Sequence, residues 1–222
     1  MAKKQPSRMR VIALAAAKGG VGKSTLTAAL SVRAAQDGAR VAIVDQDPQL
    51  SLSAWWDRRL GPENPQLYED VSSSTDTIEQ IAAEGYDWLF IDTPPSQLDL
   101  MEPVIACSTF VVIPTKAGIM DIEAVKITEE LCAHHRRPFA FVLNMVTPGR
   151  PSLPVAMSSL GRSPRMLLEP NISHRPSYEE AMWAGMTAAE TRDSVARREI
   201  DQLWQSLQKA VANTERGRGG KS

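Results

Sequence analysis

Five short, nearly unbroken apolar runs punctuate the chain, at Val11 to Ala15, Val41 to Val44, Trp88 to Ile91, Phe110 to Ile113 and Phe139 to Leu143. Runs of this length without polar alternation are the mark of strands covered on both faces. Between them the apolar positions recur at helical spacing, as Leu26, Leu30 and Ala34 in one segment and Ile119, Ile122, Val125, Ile127 and Leu131 in another. Strand and helix in alternation predict an α/β fold, a doubly wound and mostly parallel sheet flanked by helices. Weaker strands are expected at Leu67 to Val71 and at Met166 to Leu168. The C-terminal third reads as helix: one segment from Ser177 to Trp183, stopped near Gly185, and another from about Thr191 to Val211.

No linker or internal repeat divides the 222 residues, so the pattern predicts a single domain over 9–212, with a flexible N-terminus (1–8) and a flexible polar, glycine-rich tail (213–222). With 43% hydrophobic and 23% charged residues the chain falls in the globular range. No apolar run approaches a membrane span, and the stretch after Lys3, Lys4, Arg8 and Arg10 ends in a charged glycine loop instead of a cleavage site, which reads as cytoplasmic. Cys107 and Cys132 lie far apart without a partner at ligand spacing, and only His134, His135 and His174 are present. This argues against a disulfide framework or a cysteine-based zinc site and leaves little material for a histidine metal cluster. The His134-His135 pair, followed by Arg136-Arg137-Pro138, reads as a solvated helix end. Adjacent Trp55 and Trp56 cannot both face inward from a regular helix, so one is expected at a dimer or adaptor surface.

A net charge of −1 conceals two opposed blocks. Leu60 through Thr115 has no Lys or Arg but carries Glu63, Glu69, Asp70, Asp76, Glu79, Glu84, Asp87, Asp92, Asp99 and Glu102. From His134 through Tyr178, Arg136, Arg137, Arg150, Arg162, Arg165 and Arg175 face only Glu169. Each block is either a solvated face or a surface for a partner of opposite charge.

The sharpest chemical signal is Lys18-Gly19-Gly20-Val21-Gly22-Lys23-Ser24-Thr25, set between the first strand and the first helix. Glycines there turn backbone N–H groups toward phosphate oxygens, and the helix N-terminus adds positive potential. Lys23 can bridge β- and γ-phosphates, and the Ser24 hydroxyl can reach Mg²⁺.

A strict Walker A loop would have glycine where Ala17 stands, and Lys18 is a second lysine. The segment resembles the deviant Walker A motif of the ParA/MinD family of P-loop ATPases, and is closest to small ParA-type partition or positioning proteins. In that family the earlier lysine, here Lys18, reaches the partner's phosphates across a nucleotide sandwich dimer. Asp45-Gln46-Asp47-Pro48-Gln49 is similar to the family's switch segment, and Trp88 to Pro95 to its Walker B strand. Asp121 and Leu143-Asn144 fall at its later strand ends, and Arg175 to Ala181, Gly185 and Glu190 resemble its C-terminal signature.

The resemblance implies ATP and Mg²⁺ as cofactors. Ser24, Asp45 and Asp92 become the metal set, Asp92 acting through water. Asp47 becomes the acid that orients or deprotonates the attacking water, and Asn144 an adenine contact. It also implies an ATP-dependent homodimer, nonspecific binding of double-stranded DNA, a basic adaptor of ParB type that stimulates hydrolysis, and association with the nucleoid. Arg175 leads the candidate DNA contacts, with Arg165, Arg197 and Arg198 as helpers; a helix-turn-helix domain for specific binding is not expected. Two alternatives stay open. A carboxylate-activating synthetase shares the fold, and a MinD-like membrane-surface ATPase would need an apolar face that Asn213 to Ser222 lacks.

Overall fold

The computed structural model describes residues 9–68, 75–162 and 166–219. Six strands form one parallel sheet: β1 (Arg10–Leu14), β2 (Val41–Asp45), β3 (Gln66–Tyr68), β4 (Trp88–Asp92), β5 (Phe110–Thr115) and β6 (Phe139–Leu143), in the order β3-β2-β4-β1-β5-β6. The five strong apolar runs are all strands. The weak signal at Leu67 becomes β3, whose expected continuation past Tyr68 lies outside the described residues. That at Met166 to Leu168 is reduced to one bridge, with Phe141 N donating to Met166 O and Leu168 N to Phe141 O, both 2.8 Å, along the outer edge of β6.

Each strand sends alternate side chains to opposite faces. Ile12, Leu14, Val41, Ile43, Trp88, Phe90, Phe110 and Val112 form one core with α1 (Lys23–Gln36), α2 (Ser51–Asp57), α7 (Pro176–Trp183) and α8 (Ser194–Gly219). Val11, Ala13, Val44, Leu89, Ile91, Val111, Ile113 and Leu143 form the other with α3 (Thr75–Ala83), α4 (Leu98–Cys107), α5 (Ile119–His134) and α6 (Ser152–Leu160). Both faces are covered, so the strand sequences show no polar alternation.

The helical C-terminal third differs from expectation at both ends of its last helix. Helix α8 starts at Ser194, after a 3-10 turn at Ala188–Glu190, because the Asp193 carboxylate accepts from Val195 N at 3.0 Å and Ala196 N at 3.2 Å and caps it. It then runs on to Gly219, through residues expected to leave the domain at Asn213. Two tethers extend it: Thr214 Oγ1 donates to Ala210 O at 3.0 Å, and Glu215 holds Arg10 at the start of β1 through two hydrogen bonds of 3.0 and 3.2 Å. The N-terminus expected to be flexible, 1–8, lies outside the described residues, as does the end of the tail, 220–222.

Helix α7 stops where the sequence placed its stop. Gly185 has φ +67°, and a Cβ there would sit 2.2 Å from Arg58 O, so the turn after α7 packs backbone to backbone against the end of α2. The tryptophan pair is arranged differently from expectation. Trp55 is fully buried with its indole N–H on Met186 O at 2.9 Å, and Trp56 is half-buried with its N–H on Pro65 O at 3.1 Å. The turn after α7 meets Trp55 and the loop into β3 meets Trp56, and the exposed tryptophan is Trp183.

Candidate functional site

In a doubly wound sheet the C-terminal strand ends share one edge, and ligands bind where the chain leaves in opposite directions. Here β1 lies between β4 and β5, and pairing sets Leu14 beside Asp92 and Asp45 beside Asp92. The loop after β1 therefore emerges next to two carboxylates far away in sequence.

That loop is braced on several sides. Thr93 Oγ1 donates to Leu14 O at 2.9 Å, Ser96 Oγ to Ala17 O at 2.7 Å, and the Thr128 hydroxyl on α5 accepts from Ala17 N at 3.3 Å. Asn144, after β6, donates through Nδ2 to Val21 O at 2.8 Å and accepts from Met145 N at 2.9 Å. Gly22 is left-handed, φ +89°, and a Cβ on it would come within 2.2 Å of Asn144 Nδ2. Glycine is thus required there by conformation and by space. The observed work of Asn144 is to brace the loop; the sequence placed it at adenine, a role resting on resemblance. Neither Ser96 nor Thr128 was singled out in the sequence, since a lone hydroxyl in a loop or mid-helix carries no local signal.

Inside this frame Gly19 and Gly20 are exposed, Val21 is buried, and Ser24 and Thr25 open α1 half-buried. Lys23 is only 6% exposed, and burial pulls its pKa below the usual lysine range while Asp92 and then Asp47 push it back up. Asp92 is fully buried and neither carboxylate oxygen has a well-formed hydrogen bond among the described residues. Burial pushes its pKa up to about 7. The Ser24 hydroxyl opposes the rise, the Asp45 charge adds to it, Lys23 opposes it and Asp47 adds again. A buried carboxylate without donors is costly, and its position beside Ser24 fits a hydrated Mg²⁺, which takes oxygen ligands and keeps several waters.

Asp45 is differently employed. Its Oδ1 accepts from Asp47 N at 3.0 Å, and its Oδ2 from Ser53 N at 2.9 Å and Ser53 Oγ at 3.1 Å. All of this shapes the β2-to-α2 turn, so Asp45 sits behind Asp47. The buried Asp47 accepts from Gln49 N at 3.0 Å and contributes charge to both Lys23 and Asp92.

Lys18 stands apart from the buried set. Its side chain is 43% exposed, and Nζ contacts Asp121 Oδ1, in the first turn of α5, at 2.5 Å. Exposed apolar side chains follow three strand ends on the same edge: Leu50 after β2, Leu98 and Leu100 after β4, and Ile119 and Met120 after β5.

The candidate DNA contacts do not form one group. Arg175 Nε donates to Asp193 Oδ2 at 2.7 Å, and the same carboxylate oxygen accepts from Ser177 Oγ at 2.8 Å. The pair raises the pKa of Arg175 and holds Asp193 well below the usual carboxylate range. Arg197 and Arg198 are exposed on α8, without an ion-pair partner among the described residues, while Arg165 lies outside those residues. The acidic block is also partly used internally. Asp87 Oδ2 accepts from Arg40 N at 2.9 Å, Glu84 accepts from the Tyr68 hydroxyl, and Glu102 meets His135 Nε2 at 2.8 Å. Glu63, Asp76, Glu79 and Asp99 are exposed; Glu69 and Asp70 lie outside the described residues.

Comparison with known proteins identifies the family. Residues 12–188 match the CobQ/CobB/MinD/ParA nucleotide binding domain. The chain is 29% identical over 205 residues to maintenance of carboxysome distribution protein A of Halothiobacillus neapolitanus, covering 86% of this chain and 93% of that protein. It is 28% identical over 180 residues to protein ParA of Rhizobium radiobacter, covering 77% and 81%. Among solved structures, a plasmid partition protein of Borrelia burgdorferi bound to AMPPNP superposes with a TM-score of 0.72 at 17% identity, over 90% of this chain and 99% of that one. MinD in the Aquifex aeolicus MinC:MinD complex gives 0.76 at 17% identity, over 90% and 96%. With the six-stranded parallel sheet, the strand-loop-helix at Lys18 to Thr25 and a family match over most of its length, this chain belongs to the CobQ/CobB/MinD/ParA family of nucleotide-binding domains.

Proposed function

We propose that the chain is a partition or positioning ATPase that binds ATP with Mg²⁺, dimerises across the bound nucleotide, and associates with DNA until an adaptor stimulates hydrolysis. The observation that carries this reading is Lys18, an exposed lysine on the phosphate loop, paired among the described residues with Asp121 at an edge lined with exposed apolar side chains. A second copy facing that edge would cover Leu50, Leu98, Leu100, Ile119 and Met120 and receive Lys18 at its own nucleotide. An apolar rim around a charged site favours burial against a partner of matching shape. The relatives named for carboxysome distribution and for chromosome partitioning support the positioning role.

In this reading the loop amides and Lys23 hold the phosphates, and Asp47 orients the attacking water. Mg²⁺ held by Ser24 and, through water, by Asp92 would supply charge neutralisation on the transferred phosphoryl group. Asp45 fixes the turn that carries Asp47, and Asn144 fixes the loop through Val21 and would also contact the adenine. Phosphoryl transfer depends on positioning and charge, so Lys18 from the partner completes the set.

For DNA, exposed Arg197 and Arg198 lead, because the Arg175 Nε is committed to Asp193. The adaptor would be basic and dock among Glu63, Asp76, Glu79 and Asp99, exposed carboxylates of the block. The membrane-surface alternative draws no support from α8, whose apolar side chains Ile200, Leu203, Trp204, Leu207 and Val211 are buried in the core. No helix among the described residues is long and apolar enough to cross a membrane. Sedimentation with ATP, ADP and duplex DNA tests the reading. A dimer with ATP alone that co-sediments with DNA of arbitrary sequence is expected; a monomer under all three conditions contradicts it.

A further inference from the structure

On the same face of the sheet as α3 and α6, but away from the phosphate edge, three potential metal ligands converge from two helices. Glu102 projects from α4, His134 closes the last turn of α5, and His135 follows at its cap. One ligand atom from each lies within 4.8 Å of those of the other two. His135 Nε2 and Glu102 Oε1 are 2.8 Å apart, and the two imidazole planes meet at 90° with centroids 4.8 Å apart. His134 is exposed, and Glu102 and His135 are half-buried, so an ion can reach the cluster from solvent.

We propose that Glu102, His134 and His135 form a binding site for a borderline-soft transition dication, zinc foremost, that pins α4 to the C-terminal end of α5. Two imidazoles and one carboxylate are a donor set suited to zinc, and the fourth tetrahedral position is left to water. Ligand atoms around a tetrahedral zinc sit about 3.4 Å apart. The existing separations, 2.8 Å for His135 and Glu102 and at most 4.8 Å for any pair, lie within about 1.4 Å of that spacing. Nitrogen donors disfavour Mg²⁺, which prefers oxygen and octahedral geometry.

The surroundings pull in both directions. The end of α5 presents its negative dipole to the ion. Arg136 and Arg137 follow immediately, but Arg136 is exposed and the Arg137 guanidinium is held on Ala106 O. The thirteen residues of helix from Asp121 to His134 separate this cluster by about 20 Å from the carboxylate that meets Lys18. It is therefore a second site, independent of the Mg²⁺ set at Ser24 and Asp92.

Tag-free full-length protein, stripped with chelator, is titrated with Co²⁺ and with Zn²⁺ at pH 7.5. The proposal expects visible Co²⁺ absorption of the four-coordinate type, one equivalent displaced by Zn²⁺ and unaffected by millimolar Mg²⁺. It also expects a Zn²⁺-dependent rise of several degrees in the unfolding midpoint. His134→Ala removes an exposed ligand that touches the His135 ring and makes no side-chain hydrogen bond among the described residues, and should fold as the parent does. It should weaken Zn²⁺ at least tenfold, since even supporting residues of metal sites are worth about that much. Glu102→Gln should weaken it comparably, and His174→Ala should change nothing. Parental affinity in His134→Ala, or stripped protein that shows neither the cobalt spectrum nor a zinc-dependent stabilisation, would overturn the site and leave His135 and Glu102 as a simple hydrogen-bonded pair.

Discussion

The phosphate edge and the arginine-rich C-terminal region are built on opposite plans. At the edge, residues distant in sequence converge on buried, under-satisfied charge. Among the described residues Asp92 has no well-formed hydrogen bond and Lys18 is exposed with Asp121 as its ion-pair partner, while burial pulls Lys23 below its usual pKa range. In the C-terminal region several carboxylates are answered within the chain, Asp193 by Arg175, Glu190 by Arg59 at 2.8 Å and Asp201 by Arg33 at 2.6 Å, while Arg197 and Arg198 stay exposed without an ion-pair partner among the described residues. Unsatisfied buried charge is expensive and persists where a ligand completes it, whereas an answered surface charge mainly shapes the fold. A count of arginines therefore says less about function than the question of what each one already holds.

The largest expected effects come from breaking the edge. Lys23→Ala removes its buried cation and should weaken ATP binding by roughly 10²-fold or more, read by calorimetry. Asp47→Ala should keep ATP affinity within a few-fold while turnover falls by roughly 10²–10⁴-fold, read by phosphate release. Unchanged turnover would move water activation to another residue.

A medium effect should follow from Gly22→Ala, which places a Cβ at φ +89° against the Asn144 amide. The left-handed backbone costs about 1–2 kcal/mol, seen as a lower urea midpoint, and displacing Asn144 from Val21 should also weaken nucleotide binding. Smaller shifts are expected on the C-terminal side. Arg197→Ala and Arg198→Ala should each lower the salt slope of DNA binding by about one unit across unrelated sequences. A parental slope in the double variant would remove α8 from the interface.

The smallest expected effect concerns acid. Asp193 has its folded pKa depressed by the Arg175 hydrogen bond, so its contribution is present above the ordinary carboxylate pKa and is lost as pH falls through the folded value. Urea melts between pH 6 and pH 3 should show the parent losing more stability than Asp193→Asn. Because both partners are substantially solvent-accessible, the difference is small.

How far the sequence revealed all this follows from the range of each interaction. The starts of β2, β4, β5 and β6 coincide with their apolar runs, and β1 begins one residue early, since burial on both faces is a local signal. The phosphate loop was legible because its chemistry is contiguous. The Ser96 and Thr128 braces and the Lys18–Asp121 contact join segments distant in sequence at the sheet edge, and the Trp56 cover depends on the course of the loop into β3, none of which a local pattern encodes. The extension of α8 past Asn213 was missed because composition there reads as tail, while Glu215 finds Arg10 205 residues away.

The central claim, that this edge closes against a second copy around ATP, is tested most directly by light scattering of the parent and of Lys18→Ala with ATP and with ADP. The account predicts a dimer for the parent with ATP only, and a monomer for Lys18→Ala in both nucleotides despite much of its ATP binding being retained. Dimerisation of Lys18→Ala with ATP to the parental extent would contradict it.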